Sequence, residues 1–200
     1  VCFTGSVPTS IRIGEAAARN VTPVSFELGG KSPLLVFDDA DLDLAVDLAV
    51  EQFDNSGQVC LAAVRMLVQD GVYDEFRARF LERAARVTQG DSREEATDIG
   101  PLVSRAHFDR VDGFVKRAVA EGASVILGGE PNHELNNATG GFYYKPTVFE
   151  GVDPAMEIVC DEVFGPVLTL QRFGSEEEGV AMDNDTDFGL GASVWTTDRA

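Results

Sequence analysis

The chain has 200 residues, 44% of them hydrophobic and 25% charged, which is enough apolar material for a core and room for one domain, or one domain with part of another. Its 34 acidic residues against 16 basic ones leave a formal charge of −18, which argues against a nucleic-acid groove or an anionic lipid surface, since both call for a basic face. No apolar run approaches the roughly 20 residues of a membrane span. The three cysteines are odd in number and far apart, so a disulfide framework or a zinc site is disfavoured and a reducing, cytoplasmic compartment is the natural reading. Lysine occurs only at Lys31, Lys116 and Lys145. An acidic, lysine-poor composition suits a salt-rich cytoplasm, while a high-GC genome gives the same arginine bias. No signal peptide is read. The opening Val1-Cys2-Phe3 reads like the middle of a strand, so the chain is expected to be a piece of a longer protein.

Val1 to Ser6 predicts a strand ending in the turn Phe3-Thr4-Gly5-Ser6, followed by a helical pattern with Ile11, Ile13, Ala16 and Ala17 towards one side. A strand, a glycine turn and a helix can present backbone amides to a phosphate, although most such turns are only turns. Val24 to Leu28 is a short strand that runs into Gly29-Gly30-Lys31-Ser32-Pro33 and then a second apolar run, Leu34 to Phe37. Paired glycines allow a close backbone approach that other residues forbid. Glu27 stands beside that turn. If buried, a carboxylate there has a raised pKa and makes a usable general base; if not, it is a strand-end glutamate facing water.

Asp38 to Asp41 caps a helix in which Leu42, Ala45, Val46, Ala49, Val50 and Phe53 recur at helical spacing. It ends at Asn55, and the polar turn Ser56-Gly57-Gln58-Val59 leads to Cys60. A cysteine is usually a small buried hydrophobe. Near the start of a short helical turn, which the pattern predicts here, unpaired backbone N–H groups would favour its thiolate, the nucleophilic form. Val64 to Val68 reads as a strand, Val72 to Val87 as an amphipathic helix, and Ser104 to Glu121 as another, followed by a strand over Ser124 to Leu127. The Gly/Pro/Asn-rich stretch 128–141 is expected to be a loop. Phe142 to Phe149 and Val167 to Phe173 read as strands, Ser175 to Met182 as a helix, and Gly189 to Trp195 as a buried strand. Alternating strands and helices predict an α/β fold with a mainly parallel sheet. Cys2 and Cys160 are expected to be packing residues, and His107 and His133 surface ones.

Seven blocks along the chain resemble the aldehyde dehydrogenase superfamily: Phe3-Thr4-Gly5-Ser6, Glu27-Leu28-Gly29-Gly30-Lys31-Ser32-Pro33, Gly57-Gln58-Val59-Cys60, Asp98-Ile99-Gly100-Pro101-Leu102, Lys145-Pro146-Thr147-Val148, Glu162-Val163-Phe164-Gly165-Pro166-Val167 and Phe188-Gly189-Leu190. The glutamate and cysteine blocks are the specific ones. The resemblance implies an aldehyde dehydrogenase-like catalytic domain over 27–200, incomplete at its C-terminus. It makes residues 1–26 the tail of a Rossmann-like NAD(P)-binding domain. It makes Cys60 the nucleophile that forms a thiohemiacetal and then a thioester, with its backbone N–H as one arm of an oxyanion hole. Glu27 becomes the general base for hydrolysis. Gly5 and Ser6 match the turn beneath the cofactor pyrophosphate, Leu28 and Gly29 the backbone near the nicotinamide, Glu162 the carboxylate on the nicotinamide ribose, and Phe164 the ring beside it. Val59 falls where the family lines its aldehyde tunnel.

The implied cofactor is NAD or NADP, with no metal, and the implied partner is a small-molecule aldehyde whose identity is not legible here. The implied assembly of the full-length parent is a homodimer or homotetramer, with no nucleic-acid or membrane partner. The family's second oxyanion donor and adenosine site are expected upstream, so the isolated 200 residues are expected to be inactive. Three rivals stand beside this reading: a coenzyme A-acylating relative, which often lacks the carboxylate matched by Glu27; a non-catalytic relative of the same fold; and a cysteine hydrolase, which would need a histidine partner that the sequence does not offer.

Overall fold

The computed structural model describes residues 1–198. It contains two sheets. The smaller pairs β1 (Cys2–Gly5) with β2 (Ser25–Leu28) in parallel, bridged by the helix α1 (Val7–Ala18). This sheet runs to Leu28, two residues beyond the boundary expected at 26.

The larger sheet has six strands in the order β5-β6-β7-β4-β3-β8. They are β3 (Pro33–Val36), β4 (Arg65–Gln69), β5 (Ser124–Leu127), β6 (Thr147–Glu150), β7 (Val167–Phe173) and β8 (Ser193–Trp195). All neighbours are parallel except β5, which runs antiparallel to β6. Parallel strands need crossover connections, and helices supply them. These are α2 (Leu42–Glu51), α3 (Asp70–Ala84), α4 (Arg105–Ala120), the short α6 (Glu157–Cys160) and α7 (Glu176–Asn184).

Side chains alternate across a strand, so a fully buried strand feeds two cores. Leu34 and Val36 of β3, with Met66 and Val68 of β4, meet Ala45, Val46 and Ala49 of α2 and Tyr73, Phe76 and Phe80 of α3. Leu35 and Leu67 turn to the other face and meet Phe173 and Met182. A further cluster joins Phe108, Val111, Phe114 and Val115 of α4 to Phe149, Ile158, Val159 and Val167.

Several expectations are corrected. The stretch 128–141 holds a helix, α5 (His133–Thr139), capped by the Asn132 side chain and closed by Gly140 at φ 72°. These two caps stabilise seven residues that have little helical pattern of their own. The strand expected over 142–149 begins only at Thr147. The strand expected over 189–195 is three residues long and lies at the sheet edge, with Val194 exposed. The Asp39 carboxylate ties its far end down, accepting from Thr196 Oγ1 (3.0 Å) and from the Thr197 amide (2.9 Å). Cys2 and Cys160 are exposed rather than packed. Among the described residues, no helix is long and apolar enough to cross a membrane.

The topology has one consequence for function. β3, β4, β7 and β8 are mutually parallel, so their N-terminal ends share one edge of the sheet. The segments that enter them, 29–32, 58–64, 161–166 and 188–192, are therefore gathered on one rim.

Candidate active site

The rim is built around the glycine turn after β2. Gly29 lies outside the left-handed region, so its need for glycine is spatial: a Cβ there would overlap the Glu162 carboxylate, with Glu162 Cδ at 2.6 Å. The next amide, Gly30 N–H, donates to Glu162 Oε1 at 3.1 Å. A Cβ on Gly30 would sit 2.8 Å from the Cys60 carbonyl oxygen and 3.2 Å from Leu190 Cβ. One two-residue turn thus touches the Glu162 loop on one side and the Cys60 turn on the other. In the smaller sheet Gly5 is in register with Leu28, and Ser6 follows as the N-cap of α1. Gly5, Ser6, Leu28, Gly29 and Glu162 therefore fall along one continuous border.

The turn that delivers Cys60 is unusual in its backbone. Asn55, Ser56 and Gly57 are all left-handed, with φ of 48°, 56° and 67°. Side chains rarely adopt this region, and such strain persists where the surroundings over-determine it. Here the buried Ser56 hydroxyl donates to Gly100 O at 2.5 Å, and Val103 N–H donates to Gln58 Oε1 at 2.9 Å. Gly57 lies against the Gly165 carbonyl, and a Cβ on it would also come within 2.9 Å of Pro166 N.

Cys60 is half-buried, and Val59 beside it is 38% exposed. The helical turn expected after Cys60 is not formed. The chain closes a tight turn, Ala62 N–H to Val59 O at 3.1 Å, and runs on to β4. No helix N-terminus faces the thiol from that side, because the Ala63 N–H is taken by Gln52 Oε1 at 2.7 Å and the chain enters β4 only at Arg65. Glu27 is exposed on β2 rather than buried. Among the described residues, no hydrogen bond joins it to Cys60.

Three basic side chains that pattern reasoning passed over hold the rim in place. Lys31, only 3% exposed, donates from Nζ to Ile158 O (2.8 Å) and Asp161 O (2.6 Å). Burial, helped by the Arg65 charge, pushes its pKa down to about 7 against the pull of Asp161 and Glu162. Buried Arg65 donates to Lys31 O, Met182 O and Asp183 O at 2.9, 2.7 and 2.8 Å. His107, expected at the surface, is half-buried and bonds Phe164 O through Nε2 at 2.6 Å. The only cue in the sequence was that Lys31 directly follows the paired glycines in an apolar stretch.

The fold and this border define an α/β domain in which the Gly29-Gly30 turn joins the Glu162 carboxylate to the backbone of the Cys60 turn at the amino ends of parallel strands. Comparison with known proteins narrows this. The model of the aldehyde dehydrogenase family matches residues 1–200, and the chain belongs to that family. It is 46% identical over 199 residues to a betaine aldehyde dehydrogenase of Cereibacter sphaeroides (strain KD131 / KCTC 12085), covering 99% of this chain and 40% of the relative. It is 44% identical over 201 residues to the betaine aldehyde dehydrogenase of Bacillus subtilis (strain 168), again covering 99% and 40%. A crystal structure of an NAD-dependent aldehyde dehydrogenase from Sinorhizobium meliloti superposes with a TM-score of 0.94 at 45% identity, over 100% of this chain and 39% of that one. A betaine aldehyde dehydrogenase from Staphylococcus aureus, solved in complex with NAD+, superposes with a TM-score of 0.93 at 38% identity, over 99% and 39%. The chain spans about 40% of the length of the curated relatives it matches.

Proposed function

We propose that the protein carrying this chain oxidises an aldehyde to a carboxylic acid with NAD or NADP, and that this chain supplies the nucleophile, the hydrolytic base and the nicotinamide-side contacts. The observation that carries the reading is the glycine turn, which holds the Glu162 carboxylate and abuts the Cys60 turn at adjacent residues.

Residues 1–28 form the end of the cofactor domain, and the chain from the Gly29-Gly30 turn onward is the catalytic domain. The border fits a dinucleotide. Glu162 Oε1 is engaged by Gly30 N–H, which leaves Oε2 as an acceptor for ribose hydroxyls, and the absence of a Cβ on Gly29 keeps that position open. Gly5 and Ser6 would lie under the pyrophosphate, Leu28 and Gly29 beside the nicotinamide, and Phe164 against its ring. A nicotinamide dinucleotide bound there supplies the acceptor for the two electrons that leave the substrate carbon.

Cys60 Sγ adds to the aldehyde carbon, and its own N–H faces the developing alkoxide. That addition gives a thiohemiacetal; once its carbon has given up hydride to the dinucleotide that would be bound there, a thioester is left on Cys60, and it is cleaved by a water from which Glu27 takes a proton. Val59 borders the aldehyde's path. Exposed on β2, Glu27 can reach bulk water and pass its proton on. The proposed assembly is a homodimer or homotetramer in the cytoplasm, and the isolated 200 residues are proposed to be inactive.

The test uses the whole protein and a panel of aldehydes including betaine aldehyde, the substrate in the names of several relatives. Free acid is expected to form in step with NADH or NADPH, and Cys60→Ser is expected to remove that activity. Glu27→Gln is expected to accumulate acyl-enzyme at Cys60, visible by intact mass. An acyl-CoA product, or full activity in Cys60→Ser, overturns the reading.

A further inference from the structure

The loop that carries Glu162 and Phe164 contains a non-glycine residue, Phe164, in the left-handed region at φ 59°. Such a conformation persists only where neighbours enforce it. The neighbours come from one face of α4. His107, Arg110 and Val111 stand at positions i, i+3 and i+4 of that helix and so share a side. His107 Nε2 bonds Phe164 O at 2.6 Å, and its ring meets the Phe164 ring edge-on at 5.9 Å between centroids. A carbonyl can only accept, so Nε2 carries the proton. Arg110 Nη2 donates to Glu162 O at 2.7 Å. Val111, fully buried, lies where a Cβ on Gly165 would come within 2.7 Å of it.

Phe164 follows Glu162 by two residues, and Glu162 is the side chain seated on Gly30 N–H. The same loop backs the nucleophile turn, because Gly57 rests on the Gly165 carbonyl. A side chain that holds the Phe164 carbonyl therefore sets both the carboxylate and the wall behind the thiol.

We propose that His107 is a positioning residue: by donating to the Phe164 carbonyl it holds the left-handed turn at Phe164 and so keeps the Glu162 carboxylate on the Gly29-Gly30 turn. The inference rests on the reading of Glu162 and Phe164 as nicotinamide-side contacts. It involves no contact between His107 and substrate or cofactor.

The test measures NADH affinity of the whole protein by fluorescence titration, apart from turnover, together with KM for NAD and kcat. His107→Leu keeps the bulk and removes the donor. It is expected to raise the NADH dissociation constant about five- to thirtyfold, the span of one lost partly buried hydrogen bond with its acceptor left unpaired. The KM for NAD rises with it while kcat changes less. His107→Gln, whose side-chain amide can reach the same carbonyl, stays within about twofold of the parent. Should His107→Leu not fold, His107→Asn, polar but too short to reach, takes its place with the same expectation. Glu162→Gln separates the two levels. If it leaves NADH affinity unchanged, the cofactor reading itself fails. If it weakens binding while the Leu or Asn variant does not, or if the Gln variant at position 107 weakens binding as much as Leu does, the role of His107 is overturned.

Discussion

The Gly29-Gly30 turn makes a sharp prediction, because its two glycines exclude a side chain for different reasons. In Gly29→Ala the new methyl collides with the end of a side chain, the Glu162 carboxylate, whose Cδ lies 2.6 Å from the methyl position. Nothing in the backbone of Gly29 opposes alanine, since its φ lies outside the left-handed region. Glu162 can swing away and give up its bond from Gly30 N–H. A hydrogen bond to a charged acceptor contributes about 1.5–3 kcal/mol. Gly-to-Ala stiffening of the unfolded chain offsets about 0.4–1 kcal/mol of that. The variant should therefore fold, lose roughly 1–2 kcal/mol of stability, and bind NADH about ten- to 150-fold more weakly for want of a placed carboxylate. Gly30→Ala meets backbone instead, the Cys60 carbonyl at 2.8 Å, so it must displace the Cys60 turn. It should slow iodoacetamide labelling of Cys60, whereas Gly29→Ala should not. Combining Gly29→Ala with Glu162→Ala removes the collision, so the two stability losses should fall short of additive. The assays are fluorescence titration, timed alkylation and denaturation midpoints. Unchanged NADH affinity in Gly29→Ala, or strictly additive losses in the pair, would refute the reasoning.

Lys31 gives a pH dependence. Its folded pKa, about 7, lies below the unfolded value of 10.5, so between those limits the unfolded chain binds more protons and this group's contribution to stability rises with pH. The slope approaches about 1.4 kcal/mol per pH unit. The stability difference between the parent and Lys31→Met should therefore grow from pH 7 to pH 10, and a flat difference in denaturation midpoints counts against it. Gly57→Ala combines a left-handed φ of 67° with a methyl driven against the backbone of Gly165 and Pro166. It should cost about 2 kcal/mol or more, and a wild-type midpoint would contradict the packing described. The 200 residues purified alone should give no aldehyde-dependent NADH, and a measurable rate would place the whole chemistry within this chain.

The strands and long helices were legible because each carries its own signal. β3 is an apolar run and β4 centres on the apolar Met66-Leu67-Val68, buried on both faces, and α2, α4 and α7 follow Asp41, Ser104 and Ser175, whose side chains cap them. α5 was missed because seven residues with no buried side chain show no stripe, and only its caps mark it. β8 was overrated because Gly189 to Ala192 looks apolar yet serves as the approach to an edge strand. The helical turn expected after Cys60 failed because the amides that would continue it are taken elsewhere, Ala62 N–H by Val59 O and Ala63 N–H by the Gln52 side chain. Lys31, Arg65 and His107 read as ordinary polar positions. Lys31 finds its acceptors 127 and 130 positions away, Arg65 two of its three 117 and 118 away, and His107 its acceptor 57 away.

By itself the order of residues determined which groups are present and in which local shapes: a thiol after a polar turn, a carboxylate at a strand end, paired glycines, and apolar runs that must be covered on both sides. Tertiary structure decided which of these groups meet. Parallel pairing puts the starts of β3, β4, β7 and β8 on one edge whatever the length of chain between them. That is how Glu162 comes to rest on an amide 132 residues earlier. The reason is physical. Local patterns report the free energy of neighbours in the chain, while the partners of a buried cation or a left-handed turn are chosen by packing between segments that share no local signal.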